Sequence, residues 1–312
     1  MQLRRVAQLS LSHIARYQRA RSAAPHFLFV GDRGEYTIAN ATLAVQHTGM
    51  LPSGSGAVDI SPSGQLLAIA SNVDWVVMGW DGTIHWQAPH RAYQAWESGD
   101  IEFLDEEQLI IVQPDGDGVK IEKRNWQADA ITGTARIELP ASGGHHLAKH
   151  PSQPAWILWS GAGQDGQWSH RVVLADDTFQ CTTLPGLAAH DHGAPLFSAD
   201  GTTYITTNED GIVCYRWSDD KLECFEAFRD GTQVDTAHPL LPNRWLVHDS
   251  AAAHLWLVSP KAPWQAIELE SITDRLRERL WSTELVPSGR MLTVHGWPPH
   301  DTQLVTLYQP LP

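Results

Sequence analysis

Short apolar runs alternate with polar turns along the whole chain, and the runs recur in a fixed order. One series reads Phe27–Val30, Leu66–Ala70, Leu109–Val112, Trp156–Trp159, Tyr204–Thr207, Trp245–His248 and Met291–His295. Each leads into a polar turn holding an aspartate: Asp32, Asp74, Asp117, Asp165, Asp210, Asp249 and Asp301. A second run follows each turn: Tyr36–Ala39, Trp75–Trp80, Val119–Lys123, Arg171–Leu174, Ile212–Trp217, Leu255–Val258 and Leu304–Tyr308. These runs are rich in β-branched and aromatic residues and are bounded by Gly, Pro, Asn or Asp. That pattern predicts strands joined by tight turns. A more polar run comes next: Leu43–Gln46, Ile84–Gln87, Ala135–Glu138, Phe179–Thr182, Leu222–Glu226 and Ala266–Leu269. Polarity suits a sheet edge, where it discourages pairing with other sheets. A further strand precedes each unit and ends in a turn such as Ser61-Pro62-Ser63-Gly64, Ser198-Ala199-Asp200-Gly201 or Val286-Pro287-Ser288-Gly289.

The turn aspartates are spaced about 45 residues apart on average, and a repeat of that length with four strands is the signature of a β-propeller. The expected fold is all-β, a seven-bladed propeller with four-stranded antiparallel blades in a single domain, 1–312. Blades are expected at about 11–50, 57–88, 99–140, 145–184, 192–228, 235–270 and 282–312. The last unit lacks an outer strand, and Arg4–Ser10 alternates in the manner of one. It is therefore expected to complete the last blade and close the ring, which removes exposed edges. One segment breaks the beat. In Glu270–Trp281, Ser271 stands three residues before Asp274 and Leu276 four before Leu280, which predicts a helical insertion over 271–281.

Composition narrows the function. The 14 tryptophans fit extensive β-structure with aromatic packing. A net charge of -14 argues against nucleic acid and anionic membranes, which need clustered Lys and Arg, and favours a basic or mixed protein partner. Cys181, Cys214 and Cys224 have no CxxC spacing, and Cys214 and Cys224 are expected on opposite faces of neighbouring strands. Free thiols fit a reducing compartment. The stretch after Arg4-Arg5 holds Gln8, Ser10, Ser12 and His13, too polar for a signal peptide, and a cytoplasmic location is expected.

The run from Ser61-Pro62-Ser63-Gly64 through Leu66-Leu67-Ala68 and Asp74 to Trp80-Asp81-Gly82 resembles a WD-repeat blade. Asn125–Gly133 resembles the strand-turn-strand end of another. The chain is thus similar to divergent bacterial WD-repeat or quinoprotein-like propellers. The resemblance implies that the turn aspartates organise each blade through hydrogen bonds to backbone and a nearby His or Ser. It also implies a protein-binding role, for example as a partner of an ATPase system or an inhibitor of a toxin.

Candidate chemistry is sparse. Gly161–Gly166 matches GxGxxG, but the residues after it lead into a strand, so a hairpin loop is expected rather than a nucleotide cradle. Asp115-Gly116-Asp117-Gly118 lacks the later ligands of a calcium loop and reads as a turn. His190 and His192, with His146 from the preceding blade, are candidate metal ligands, and packing is the competing role. No GxSxG elbow, P-loop or HExxH is present. No cofactor is implied.

The loops holding the aspartates, and those joining outer to inner strands, open on one face. There Arg91, Tyr93, Trp96, Trp168, His190, His192, Trp297 and His300 are candidate anchors, since aromatic and Arg side chains dominate interface energetics. The expected function is a non-catalytic protein-binding scaffold, adaptor or inhibitor, with a monomeric propeller as the unit. The alternatives are a metal-dependent hydrolase or lactonase-like enzyme in the channel, or a small-ligand or glycan binder.

Overall fold

The computed structural model describes residues 2–11, 15–20, 26–31, 33–52, 56–90, 98–139, 143–161, 167–184, 196–198, 200–208, 211–217, 224–227, 234–241, 244–249, 254–259, 262–269, 280–285, 290–295 and 303–310. These residues are organised in seven sheets and no helix. The first sheet comprises Ala15–Ala20, His26–Gly31, Glu35–Asn40 and Val45–Met50. The second comprises Val58–Ile60, Leu66–Ala70, Asp74–Gly79 and Ile84–Pro89. The third is Asp100–Phe103, Gln108–Pro114, Gly118–Asn125 and Ala130–Glu138; the fourth is Gly144–Lys149, Ala155–Gly161, Gln167–Ala175 and Thr178–Thr183. The fifth is Leu196–Phe197, Thr203–Asn208, Gly211–Arg216 and Cys224–Ala227; the sixth is Val234–Leu241, Arg244–Asp249, His254–Ser259 and Ala262–Ala266. The last holds Leu280–Leu285, Met291–His295, Gln303–Pro310, Gln2–Leu11 and the two-residue Glu268–Leu269.

The described turn aspartates Asp74, Asp117 and Asp249 each fall where the second strand of a sheet gives way to the third. Gln2–Leu11 pairs antiparallel with Gln303–Pro310, with Leu3 opposite Pro310 and Leu11 opposite Gln303, so the N-terminal strand is part of the last sheet.

Two expectations are corrected. The outer strand of the sixth sheet is Ala262–Ala266, not Ala266–Leu269; Glu268–Leu269 runs parallel to Gln2–Leu3 in the last sheet. Apolar Ile267 and Leu269 mimic a strand centre, yet Ile267 is a buried link between the two sheets' strands. Of the expected helix, 271–279 lies outside the described residues, while Leu280 and Trp281 open a strand. In the fifth sheet Cys214 stands opposite Phe225 and Cys224 opposite Tyr215, one step out of register with each other. Cys181 is an exposed free cysteine on the fourth sheet's outer strand.

The chain divides into two compact units. Met1–Ser22, His26–Thr48 and Asp191–Pro312 form one; Ala23–Pro25 and Gly49–His190 form the other. Within the first, the last sheet packs on the first sheet: Leu11, Val305 and Leu307 meet Phe27, Phe29, Ala39 and Leu43, with Ala7 and Leu9 alongside. Within the second, Val77 and Trp86 of the second sheet pack on Ile101, Phe103, Leu109 and Ile111 of the third. The other side of the third sheet, Ile110, Val112, Val119 and Ile121, packs on Trp156, Leu158, Val172 and Leu174 of the fourth. The third sheet is therefore apolar on both sides, because a four-stranded sheet buries its faces only between neighbours.

Carboxylates in the inner strands pin the sheets of this second unit together. Asp59 Oδ2 accepts the Phe103 N–H at 2.7 Å, and Asp100 Oδ2 accepts the Leu147 N–H at 2.8 Å. Asp100 Oδ1 also takes the Ile101 N–H at 2.8 Å, and Glu102 accepts Trp156 Nε1–H at 3.0 Å. All three acids are buried. A buried carboxylate persists only when its oxygens are hydrogen-bonded, and here each bond set spans two sheets.

Candidate functional site

The loop ends of the second, third and fourth sheets carry those predicted site positions that the structure describes. Asp74 begins the third strand of its sheet. Its N–H donates to Ser71 Oγ at 2.9 Å, and its carboxylate accepts Gln87 Nε2–H at 2.9 Å. His90 Nε2 lies 2.9 Å from the Ser71 carbonyl, and its ring tilts against Trp75 at 4.7 Å. Ser71, Asp74, Gln87 and His90 thus lock one turn. The carboxylate's partner is the Gln87 amide rather than the backbone and the His or Ser that the resemblance implies, and Ser71 is bonded by the main-chain N–H of Asp74. Asp117 occupies the equivalent bend, where its carbonyl accepts the Leu139 N–H at 2.9 Å. Beside it Asp115 pairs with Arg136 Nε at 2.9 Å, so this acidic turn is tied to its own outer strand.

The end of the fourth sheet brings aromatic and imidazole groups together. Gly161 stands opposite Gln167 in an antiparallel ladder, so the GxGxxG stretch, whose residues 162–166 lie outside the described residues, is followed by a strand and not by the helix that a pyrophosphate site uses. His145 is fully buried, with Nδ1 2.9 Å from Ser160 Oγ and its backbone N–H donating to the Ser98 carbonyl at 3.0 Å. The next residue, His146, is exposed and stacks on Trp159 at 5.4 Å and 28°. The two are directly opposite across the ladder. The Trp159 ring lies over Gly161 so closely that a Cβ there would sit 3.0 Å from it. A side chain at Gly161 would make the ring give way by a few tenths of an ångström. Trp168, half-buried, leans on the core between the third and fourth sheets.

Arg91, Tyr93, Trp96, His190, His192, Trp297 and His300 lie outside the described residues, as do Asp32, Asp165, Asp210 and Asp301. Of the metal candidates only His146 is described, and its ring is engaged with Trp159. Among the described residues no three His, Cys, Asp or Glu side chains gather as a metal site.

His170 carries no sequence signal and emerges only from the structure. It stands opposite Leu158 on the strand that also bears Val172 and Leu174, is 4 % exposed, and its Nδ1 has no hydrogen-bond partner. Desolvation holds its pKa below the ordinary imidazole value. A histidine depressed in the folded state stays neutral while the unfolded chain protonates. Its contribution is therefore complete above about pH 6.5 and is lost as pH falls below it. The melting temperature is expected to drop between pH 7 and pH 5, and His170→Leu should make that drop shallower. Melting curves at several pH values across that range check this; an unchanged acid slope in the variant contradicts it.

A second turn device recurs in the SPSG-type turns. Ser61 Oγ accepts the Leu66 N–H at 3.2 Å, and Ser198 Oγ accepts the Thr203 N–H at 3.0 Å. Ser198 Oγ–H and the Thr202 N–H and hydroxyl converge on Asp200 Oδ1, which holds that carboxyl below its usual range.

No family model and no curated protein matches the chain. Solved structures do resemble it. The β-propeller domain of Cps50 (Swd1) from Myceliophteria thermophila superposes with a TM-score of 0.63 at 12 % identity, covering 96 % of this chain and 98 % of the other. The Dos1 propeller gives 0.59 at 11 % identity over 93 % and 76 %. BamB from Moraxella catarrhalis gives 0.57 at 12 % identity over 98 % and 99 %. At these identities the likeness concerns the fold, and together with the repeated antiparallel sheets it shows that the chain is a β-propeller.

Proposed function

We propose that the chain is a seven-bladed propeller, closed by Gln2–Leu11 on the last blade, that acts as a non-catalytic scaffold binding another protein through its Asp-turn face. The observation that carries this is the end of the fourth sheet. Exposed His146, backed by Trp159 and anchored through the buried His145–Ser160 pair, is a rigid aromatic surface rather than a mobile polar one. Surfaces of that kind supply contact area at low entropic cost. The overall charge of -14 favours a basic or mixed partner at this face. The exposed free thiol of Cys181 fits a reducing compartment such as the cytoplasm.

Affinity capture from the native lysate, with wild type and His146→Glu in parallel, tests the reading. The expected result is a stoichiometric protein retained by wild type and reduced at least about tenfold by His146→Glu, with the two melting temperatures alike. No stoichiometric protein, or one retained equally by both, removes the reading.

A further inference from the structure

The face of the fourth sheet that packs on the third carries two groups that an apolar core does not call for. Val172, Leu174 and Phe179 cover that face, with Trp168 at its margin. In the ladder between Gln167–Ala175 and Thr178–Thr183, His170 stands opposite Thr183 and Val172 opposite Cys181. Residues directly opposite one another share a face, and so do residues two apart along a strand. His170 and Cys181 are therefore diagonal neighbours on the side that bears Val172.

His170 is 4 % exposed, and among the described residues its Nδ1 has no hydrogen-bond partner. A buried polar atom left without a partner costs free energy that a ligand can offset. Cys181, one strand further out, is an exposed free thiol, so the pair is open to solvent on the sulfur side. Diagonal neighbours in an antiparallel ladder stand about 7–8 Å apart at Cα, and their side chains come closer. An ion fills that span, since metal bonds to thiolate and imidazole are each about 2.0–2.3 Å long. Desolvation keeps His170 neutral, the form that ligates a metal, and pushes the Cys181 thiol up. The sulfur thus stays protonated until a soft ion displaces the proton to water.

We infer that Cys181 and His170 form a two-coordinate site for a soft monovalent cation, copper(I) in chemical type. Thiolate and imidazole are the donors that such an ion prefers. A monovalent ion with a filled d shell is satisfied by two ligands, whereas zinc takes four. Among the described residues no third His, Cys, Asp or Glu gathers with the pair, which favours the two-coordinate ion. Binding exchanges a sulfur–hydrogen bond for a sulfur–metal bond and leaves every oxidation state unchanged. His146 and Trp159 lie on the other face of the sheet, so the site is separate from the proposed protein-binding surface.

Anaerobic titration of the whole chain with copper(I), against a chromophoric copper(I) chelator as competitor, tests it. Wild type is expected to withhold one equivalent, and Cys181→Ser and His170→Gln each to bind at least about tenfold more weakly. Cys214→Ser/Cys224→Ser should bind as wild type does. X-ray absorption of the copper-loaded protein should show one sulfur and one nitrogen neighbour. Cys181→Ser changes an exposed side chain and should melt as wild type does without metal. If His170→Gln fails to fold, the sulfur-and-nitrogen signature of wild type decides. No withheld equivalent, undiminished binding in Cys181→Ser or in folded His170→Gln, sulfur-only coordination, or loss of binding in Cys214→Ser/Cys224→Ser would each overturn the inference. His146→Glu should leave copper binding unchanged, so this site and the protein-binding surface stand or fall separately.

Discussion

Removing residues 1–11 is expected to lower the melting temperature by about 10 °C or more and to split a single unfolding transition into two. Three effects add. The ladder with Gln303–Pro310 is lost, exposing the edge of the latter strand. Leu11, with 2 % of its surface exposed, leaves the core at a cost of about 2–3 kcal/mol of transfer free energy, and partly buried Leu9 adds a smaller share. Val305, Leu307, Phe27 and Phe29, buried between the last and first sheets, then face water. Ordering a terminal strand costs backbone entropy, so the net is smaller than the sum. The truncation nevertheless removes the packing that holds one sheet against another, which is why cooperativity should suffer along with stability. A synthetic peptide of residues 2–11 should restore part of the loss. Calorimetry decides; a truncated chain that melts within about 2 °C of the intact one, in one transition, contradicts the role given to this strand.

Asp100→Ala is expected to cost about 3–5 kcal/mol. One carboxylate, 3 % exposed, receives the Ile101 N–H on one oxygen and the Leu147 N–H on the other. Alanine strands both donors in a buried site, and the second of them belongs to the next sheet. Asp100→Asn separates this account from simple loss of volume. Asparagine keeps the shape but replaces one acceptor with an NH2 group that must confront an N–H. It should be nearly as destabilising as alanine. Denaturant melts of the two variants check this, and an asparagine variant within about 1 kcal/mol of wild type would show that the second bond is not worth what its geometry suggests.

The blades were legible because their constraints are local. A turn between two apolar strands needs a polar residue that favours tight geometry, and the aspartate beat at Asp74, Asp117 and Asp249 marks where the second strand gives way to the third. The N-terminal strand was legible for a different reason: seven third strands against six outer ones leave one edge to fill. The inner strands were harder. Asp59, Asp100 and Glu102 look like interruptions in apolar runs, and their partners Phe103, Leu147 and Trp156 lie 44 to 54 residues away in other sheets. No local pattern announces such a bond.

Ala266–Leu269 was misread because apolar Ile267 and Leu269 look like a strand centre. In fact the sixth sheet's outer strand ends at Ala266, and Glu268–Leu269 joins the last sheet. At the site, sequence picked out His146 and Trp168 but not the pairing of His146 with Trp159, which follows from register alone. His170 was invisible, since an imidazole in a strand reads the same whether it faces water or the core.

Hydrogen exchange read at peptide resolution over residues 2–11 tests most directly whether the opening strand is the outer strand of the last sheet. The account predicts that inward-bonded amides of Arg4–Leu11 exchange as slowly as those of Gln303–Pro310, and that both are released in the same unfolding event. Exchange of residues 4–11 at the rate of an unstructured peptide, while Gln303–Pro310 stays protected, would contradict it.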